Sequence, residues 1–439
     1  MTGELGIDRR TASPRPRFER PYVAYVILVL TTANIFNYMD RMAMSVLLPS
    51  VKRDLALTDG QLGILVGIAF SLFYAVCGIP LASLADRGHR RSVIAGALAV
   101  WSVMTALCGW AQNFLQLLAA RVGAGAGEAG CVAPAQSLIC DYVEPRKRAT
   151  AFTVLSFGVV LGTMLGLGLA GLLAARIGWR WTFVAFALPG FLFAFVVRFT
   201  VQEPVQGATE DRPIDAAGPR LHIAIATLSK NAAYRRVVLF FVLNGFAQLG
   251  IMQWLPSLLV RSFELRLDYA GVMLGVAVGA GSASGLVIGG FIAHRFEREG
   301  IKYPLLIAAC SLLASAPVAL GAIFAPSAPS ALGLILLVLL LWYVPAGSVT
   351  AALYSVVRPD MRSVAGALTI FLTSIIGFGM GPTSVGLLSD YLARRTGQDS
   401  LAIALLLPVA ALVPAAILLA RIARSDPGAA TASPIAFRA

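Results

Sequence analysis

Long apolar segments recur along the whole chain, and they limit what this sequence can fold into. A helix needs about 20 apolar residues to cross the hydrocarbon core of a bilayer, and twelve segments are long enough. With 58% hydrophobic and 13% charged residues, the chain has more apolar surface than a soluble core can bury. The sequence therefore predicts an all-α polytopic membrane protein. The twelve segments are residues 22–50, 60–84, 91–111, 113–142, 147–175, 179–201, 233–263, 268–293, 303–325, 330–357, 362–393 and 399–422.

A polar, proline-bearing stretch separates the first six spans from the last six. Its composition is typical of a linker between two units. Two six-helix halves that rock about a site between them are a known plan for membrane carriers. The predicted segments are an N-terminal tail (1–21), a six-helix bundle (22–201), the linker (202–232), a second six-helix bundle (233–424) and a C-terminal tail (425–439).

Basic residues are distributed unevenly between the two sides of the predicted bundle. Of the 35 Lys and Arg residues, 24 fall in the tails and in the loops on the same side as the tails, and 8 fall in the opposite loops. Because positively charged loops stay in the cytoplasm, both termini are predicted to be cytoplasmic. We expect an integral protein of a bacterial inner (plasma) membrane that contacts membrane lipids and is monomeric. The net charge of +13 follows from this loop pattern, so we expect no nucleic-acid partner.

The sequence offers little material for catalysis or for a cofactor. Its five cysteines all lie in apolar spans without a Cys-x-x-Cys pair, and its three histidines lie at loops on the side of the tails. At these positions the cysteines and histidines cannot together bind a metal ion, and no cysteine has a neighbouring histidine that could activate it as a nucleophile. No phosphate-binding glycine loop for ATP occurs either. We therefore expect neither an enzyme nor a metal or other cofactor.

The first span carries an acid and a base deep inside an apolar run. At about 100° per residue, Asn37, Tyr38, Asp40 and Arg41 fall on one side of the helix formed by residues 34–45. An ionised side chain at the centre of a bilayer costs at least about 2.5 to 3.5 kcal/mol. Asp40 and Arg41 must therefore pair with other charges, line a cavity, or do both, and Asn37 and Tyr38 are candidate substrate contacts beside them.

The fourth span supplies two further charges. Arg121 and Glu128 are seven residues apart, so they share one face of a helix but lie roughly 10 Å apart along its axis. The first and fourth spans run in opposite directions, and the depths of the charges then predict that Asp40 lies close to Arg121 and that Arg41 reaches toward Glu128. Two interpretations are open, a structural clamp and a functional site, although ionisable groups inside membranes are usually functional.

A charged loop follows the second span and contains Asp86, Arg87, Arg90 and Arg91. An acid at a helix end followed by arginines can pair its charges and neutralise the end of a neighbouring helix. Breaking such contacts would favour one global state, so we assign these four residues a gating role. The alternative is the ordinary positive charge of a cytoplasmic loop.

The spacing of residues 84–91, Leu-Ala-Asp-Arg-Gly-His-Arg-Arg, resembles the signature loop of the major facilitator superfamily. The chain departs from that signature at Ala82, where a glycine is usual, and at His89, where the second glycine is usual. The resemblance implies the fold of that superfamily, which has twelve transmembrane helices in two six-helix bundles.

Residues 37–41 (Asn-Tyr-Met-Asp-Arg) and 121–129 (Arg-Val-Gly-Ala-Gly-Ala-Gly-Glu-Ala) look like the Spinster branch of the superfamily. Members of this branch move lysophospholipids and sphingoid phosphates. The resemblance implies that the four charged residues of these two stretches form a substrate and proton site. The pattern Asn-Tyr-x-Asp-Arg also occurs in some organic-anion carriers of the same superfamily.

The second half has no buried acid or base to match the first. Polar residues of its seventh, tenth and eleventh spans are candidate substrate contacts, and we select Gln248, Tyr343 and Thr373, with Asn244 and Gln253 as further polar residues of the seventh span. Each could instead form a helix–helix hydrogen bond or an interfacial anchor. A cavity that is charged on one wall and polar to apolar on the other suits an amphiphile with an anionic head.

These residues predict a secondary carrier that is driven by protons and works by alternating access. An arginine can bind a phosphate or a carboxylate bidentately, so Arg41 and Arg121 would hold the anion. Glu128 is the first candidate for the proton carrier, because of its depth in the membrane, and Asp40 is the second.

Other functions compete with this prediction. A carrier of the same architecture could move a water-soluble organic anion, a sugar acid or a hydrophobic drug. A non-transporting receptor or scaffold would need large regions outside the membrane, and a membrane enzyme would need a catalytic constellation. The sequence shows neither of these features.

Overall fold

Helices form every regular element of the computed structural model, which describes residues 18–144, 147–204, 221–296, 301–358, 361–397 and 399–424. Most of the predicted tails and linker lie outside the described residues, at 1–17, 205–220 and 425–439. Within the described ranges no β-strand occurs, as the long apolar segments predict.

The first half of the molecule extends to residue 204 and the second half begins at residue 221. The helices of the first half are α1 (Arg20–Asp54), α2 (Asp59–Val66), α3 (Ile68–Leu84), α4 (Arg90–Trp110), α5 (Phe114–Glu128), α6 (Val132–Tyr142) and α7 (Arg148–Thr200). A π-helical turn, Ala85–His89, joins α3 to α4.

The second half repeats this arrangement with more interruptions. Its helices are α8 (Leu221–Lys230), α9 (Ala232–Met252), α10 (Leu255–Ser262), α11 (Leu267–Arg295), α12 (Lys302–Ile323), α13 (Ala328–Tyr343), α14 (Ala346–Ser355), α15 (Arg362–Leu372), α16 (Met380–Thr396), α17 (Leu401–Ala404) and α18 (Leu406–Arg424). A second π-helical segment, Thr373–Gly379, joins α15 to α16.

Ten helical segments of the described chain are long and apolar enough to cross a membrane. One of them, the 53-residue α7, contains two of the predicted spans. A straight helix of this length would be about 80 Å long, far more than a bilayer needs. The helix reverses at Gly178, whose φ of 78° is accessible to glycine without strain. Tyr22 donates a hydrogen bond to the carbonyl of Thr200, so α7 returns to the end of the molecule where α1 begins.

The remaining predicted span is divided into α5 and α6. Between α5 and α6 the backbone hydrogen bonds span three residues instead of four. The amide of Gly130 donates to the carbonyl of Gly127, and the amide of Cys131 donates to the carbonyl of Glu128. Neither part reaches the length of a membrane span by itself. With α7 counted as two spans and α5 with α6 as one, the described helices agree with the twelve predicted spans in two six-helix bundles.

The two halves contact each other through a network of charges at one end of the molecule. Asp59, at the start of α2, accepts hydrogen bonds from both terminal nitrogens of Arg261 at 2.9 and 2.8 Å. It also accepts from Lys52 at 2.7 Å and from Ser389 at 2.8 Å. We call this the Asp59 end. The opposite end, where α1 begins and α18 finishes, is called the terminal end.

A second contact at the Asp59 end uses the exposed backbone of a helix start. Thr58 and Gln61 cap α2 reciprocally. The next two amides, those of Asp59 and Gly60, donate to the two carboxylate oxygens of Asp390 at 2.9 and 2.8 Å. An anion is favourable at a helix N-terminus because the amides there lack helical partners. One half of the molecule therefore caps a helix of the other half.

Glycines allow the halves to approach each other between α7 and α11. A β-carbon added at Gly271 would lie 2.6 Å from the carbonyl oxygen of Leu167, and one at Gly275 would lie 2.7 Å from that of Met164. Small residues at such contacts permit the close backbone packing that holds membrane helices together. The charged contacts between the halves lie at the Asp59 end, and the glycine contacts between α7 and α11 continue from there.

We expect Arg261→Ala to destabilise the protein, because it leaves the carboxylate of Asp59 buried with fewer partners. Removing one partner of a buried ion pair costs about 3 kcal/mol. The thermal unfolding midpoint in detergent measures this effect. The matched control is Arg266→Ala, which removes an arginine that is 82% exposed and is paired to Asp268. Exposed pairs contribute little, so equal shifts in the two variants would contradict the expectation.

Candidate functional site

A cavity of about 240 Å³ lies between the two halves. Its wall in the first half carries a charged and aromatic group of side chains, and its wall in the second half carries polar, aromatic and aliphatic ones. The lining of the cavity includes Tyr38, Arg41 and Phe70 in the first half and Gln248, Met252, Gln253, Trp342 and Tyr343 in the second.

The charged group at the cavity is an ion pair between Arg41 and Glu128. Nε and Nη2 of Arg41 both donate to Oε2 of Glu128, at 3.2 and 2.8 Å. The side chain of Glu128 is fully buried, whereas that of Arg41 is 13% exposed and reaches the cavity. The predicted contact between these two residues is therefore present, with the acid behind the base when viewed from the cavity.

Three aromatic rings surround the guanidinium of Arg41. Its central carbon lies 5.0 Å from the ring centre of Tyr38, 4.7 Å from that of Phe70 and 5.0 Å from that of Tyr74. The negative face of an aromatic ring attracts a cation, and the attraction grows as water is removed. The rings therefore stabilise a charged Arg41 in a place where few water molecules can do so.

Phe70 also contacts the second buried arginine. The guanidinium of Arg121 lies 4.8 Å from the centre of the Phe70 ring, and its Nε donates to the carbonyl of Leu65 at 3.4 Å. A single ring thus contacts the guanidinium groups of Arg41 and Arg121. Arg121 itself is buried and does not line the cavity.

Gly125 determines how closely Phe70 approaches the fourth span. A β-carbon at Gly125 would lie 2.5 Å from the carbonyl oxygen of Phe70 and 3.2 Å from its Cα, so only glycine leaves room for this backbone. A β-carbon at Gly127 would similarly meet the backbone of Trp101 at 2.8 Å. The glycines between Arg121 and Glu128 therefore bring the second and third spans against the charged face of the fourth.

Asp40 faces α4 rather than the cavity. Its carboxylate is buried and accepts a hydrogen bond from Thr105 at 3.4 Å. The predicted proximity to Arg121 takes the form of a charge interaction, since no ion pair within 4 Å joins them in the described chain. The charges of Asp40 and Glu128 also interact. Both acids therefore lie inside one buried cluster, but only Glu128 touches the arginine of the cavity.

The predicted substrate contacts separate into two groups. Tyr38, Arg41, Gln248 and Tyr343 line the cavity. The others, Asn37, Arg121 and Thr373, are buried outside its lining.

The amide of Asn37 is fully buried and lies within hydrogen-bonding reach of the Glu128 carboxylate. Neither the Asn37 amide nor Oε1 of Glu128 makes a hydrogen bond of good geometry within the described residues, so the two groups are weakly satisfied neighbours in the interior of the first half. Thr373 lies in the π-helical segment of the eleventh span, and its hydroxyl is also unpartnered in the part of the chain that the structure describes.

Phe70 and Tyr74 are site residues that the sequence interpretation missed. Both occur in an apolar span in which aromatic residues are ordinary, and most such rings face lipid. Their distances to Arg41 depend on the packing of α3 against α1 and α5. A single sequence carries no pattern that reports this packing.

The four residues assigned to gating adopt different environments at the terminal end. Arg90 is buried and binds Asp141, the carboxylate of Glu203 at 2.8 Å and the carbonyl of Pro204 at 2.9 Å. Arg90 therefore links the third span to the ends of the fourth and sixth spans within the first half.

The amide of Arg91 donates to Glu203 at 2.8 Å, and its side chain donates to the carbonyl of Val201 at 3.1 Å. Asp86 and Arg87 are exposed on the π-helical turn. No group of three or more potential metal ligands occurs among the described residues.

Sequence comparison relates the chain to known membrane proteins. Residues 30–382 match the family model described as Major Facilitator Superfamily. The chain is 32% identical over 392 residues to an MFS-type efflux pump of Mycolicibacterium smegmatis, covering 88% of each chain. It is 25% identical to the hexuronate transporter of Bacillus subtilis, covering 86% of this chain and 90% of the relative. It is 28% identical to protein spinster homolog 1 of Bos taurus, covering 84% and 74%.

Structural comparison gives similar relatives. A bacterial homolog of the human lysosomal transporter Spinster, in an inward-facing and unoccupied conformation, superposes with a TM-score of 0.79 and 26% identity, covering 94% of this chain and 98% of the other. An inward-facing and occupied conformation of such a homolog gives a TM-score of 0.77 and 25% identity, with coverages of 95% and 98%.

We expect Gly125→Ala to lower the thermal unfolding midpoint, because the new β-carbon would overlap the backbone of Phe70, which cannot rotate away. Overpacking of this kind costs about 1 to 3 kcal/mol. The matched control is Gly96→Ala in α4, where nothing lies within 4 Å of the added carbon. The control should be neutral or stabilising by up to about 1 kcal/mol, because alanine favours helices. A Gly125 variant as stable as the control would contradict the close contact.

Proposed function

The chain belongs to the major facilitator superfamily of membrane transporters, and on this basis we propose that it is a proton-coupled secondary active transporter that works by alternating access. Its proposed cargo is an amphiphilic anionic small molecule, such as a lysophospholipid or a sphingoid phosphate. The observation that carries the proposal is the pairing of cavity-lining Arg41 with the fully buried Glu128.

Arg41 is suited to bind an anion that enters the cavity. Two of its nitrogens donate to Glu128, its side chain also interacts with the hydroxyl of Tyr74, and it is 13% exposed at the cavity. A phosphate or carboxylate in the cavity could compete with Glu128 for the guanidinium, since guanidinium groups bind such anions bidentately. The surrounding rings keep the cation in place while its partner changes.

Competition between the anionic cargo and Glu128 for Arg41 would couple transport of the cargo to protons. When an anion takes the guanidinium, Glu128 loses its counter-charge in an apolar interior, where an unpaired carboxylate is costly. Taking up a proton removes that cost, so binding of the anion and binding of the proton favour each other, and the effect is reciprocal. Glu128 is the proposed proton carrier, and Asp40 is a second candidate whose charge interacts with both Glu128 and Arg121.

The cavity walls support an amphiphilic cargo. The first-half wall offers the charged Arg41, while the second-half wall includes Met252, Trp342 and Tyr343. The choice of a lysolipid follows the similarity to the Spinster proteins. A water-soluble organic anion or sugar acid is the alternative suggested by the similarity to a hexuronate transporter. A hydrophobic drug is the other alternative; the similarity to an efflux pump is compatible with it but names no cargo.

We further propose how the fold would alternate access. The two bundles would rock about the cavity; they comprise residues 22–201 and 233–424 and are joined by the linker 202–232. This motion would break the contacts of the Asp59 end and form contacts at the terminal end. Asp86, Arg87, Arg90 and Arg91 would contribute to the second set. The loop charges favour cytoplasmic termini in a bacterial inner membrane. With that orientation the contacts of the Asp59 end lie on the outer side, so we propose that the described state is inward-facing and that the unit is a monomer.

We expect Glu128→Gln to uncouple protons from transport, because the amide cannot carry a proton across. In proteoliposomes, proton movement driven by a gradient of oleoyl lysophosphatidate should fall to the level of vesicles without protein. The control is Glu144→Gln, which replaces an acid whose side chain is 64% exposed. Undiminished proton movement in the Glu128 variant would refute the assignment.

We expect oleoyl lysophosphatidate to raise the thermal unfolding midpoint more than glucuronate or an uncharged hydrophobic drug does, because ligands stabilise the folded state that they bind. Arg41→Gln should abolish the shift, whereas Arg266→Gln, which changes an exposed arginine outside the cavity, should preserve it. A larger shift with glucuronate or with the drug would favour the corresponding alternative cargo.

A further inference from the structure

The second-half wall of the cavity contains an amide that the fold leaves unsatisfied. Gln253 lines the cavity and is only 2% exposed, and its Oε1 is buried without a hydrogen-bond partner in the described residues. Gln248, which also lines the cavity, is more accessible. A buried polar group without a partner is costly, so a ligand that supplies the missing hydrogen bond gains affinity.

A break in the seventh span places Gln253 at the cavity. Helix α9 ends at Met252 and α10 begins at Leu255, so Gln253 lies in the turn between them. Residue 256 is a proline, which has no amide hydrogen and cannot complete the helical bond to the carbonyl of Met252. Trp254 is fully buried and donates to the carbonyl of Pro382 at 3.0 Å, which holds the turn in place.

The chemistry of the amide indicates what could satisfy it. A carboxamide has both a donor and an acceptor, and a hydroxyl group has both as well. An anionic group would use only the donor, and an ammonium group only the acceptor. The opposite wall of the same cavity already provides Arg41 for an anionic group.

We propose that Gln253, assisted by Gln248, is a specificity-determining residue that binds a hydroxyl group of the cargo while Arg41 binds its anionic group. This inference rests on the proposed function, in that it assumes an anion at Arg41, and it narrows the cargo to hydroxylated anions. The hydroxyl could belong to the glycerol of a lysolipid or to the ring of a sugar acid, and the experiment has one arm for each.

The test measures apparent dissociation constants of the purified full-length protein by ligand-dependent thermal shift. The lipid arm compares oleoyl lysophosphatidate with an analogue that lacks the glycerol hydroxyl. The sugar arm compares glucuronate with hexanoate, a carboxylate without hydroxyl groups. Because the analogue leaves the amide unpaired, we expect the hydroxylated probe to bind about tenfold more tightly in at least one arm.

Gln253→Met, which keeps the length of the side chain and removes the amide, should reduce this ratio to about one and leave the affinity for the probe without hydroxyl unchanged or improved. The matched control is Ser257→Ala in α10, which removes another buried and unpartnered polar group that does not line the cavity. The control should keep the wild-type ratio. Equal ratios for wild type and Gln253→Met in both arms would overturn the inference.

The result also distinguishes this inference from the proposed function. Arg41→Gln should weaken both probes of the responding arm, whatever the state of Gln253. Loss of affinity in the Arg41 variant without any hydroxyl discrimination by the wild type would overturn only the role of Gln253. Binding that is independent of Arg41, or no binding of any probe in either arm, would contradict the anion site and therefore both proposals.

Discussion

The ion pair between Arg41 and Glu128 is the interaction around which the first half is arranged. Charges in the interior of a membrane protein are expensive, and a buried pair does not automatically repay its desolvation. Here the cost is reduced by two hydrogen bonds to one carboxylate oxygen and by three aromatic rings around the guanidinium. The rings would keep the guanidinium in place during the change of partner that the proposed function requires.

The glycines of the fourth span make this cluster possible. Between membrane helices, close packing replaces the hydrophobic effect as the main source of association, so the removal of a β-carbon has a direct structural result. Gly125 admits the backbone of Phe70 and Gly127 admits that of Trp101. Phe70 is thereby brought within reach of both Arg41 and Arg121, so one neutral ring contacts two cations that repel each other.

The two ends of the molecule differ in how the halves meet. At the Asp59 end, a carboxylate of the first half is held by Arg261 of the second, and Asp390 of the second half caps a helix of the first. At the terminal end, the described contacts of Arg90 stay within the first half. The cavity lies between the halves, so a change that separated the Asp59 end would change its access, and the ion pair of Arg41 lies at its wall.

The sequence by itself determined the spans, the two-half plan and the partnership of Arg41 with Glu128, because hydrophobic length, helical period and depth in the bilayer are local properties of each segment. Only the tertiary structure decided that Asp40 accepts a hydrogen bond from Thr105 while it interacts with Arg121 through charge alone, that Asn37 and Thr373 lie outside the cavity lining, and that Phe70 contacts two arginines. These outcomes depend on the rotation of each helix about its axis and on how closely its neighbours approach. Contacts between residues far apart in the chain set both quantities, and no single segment encodes them.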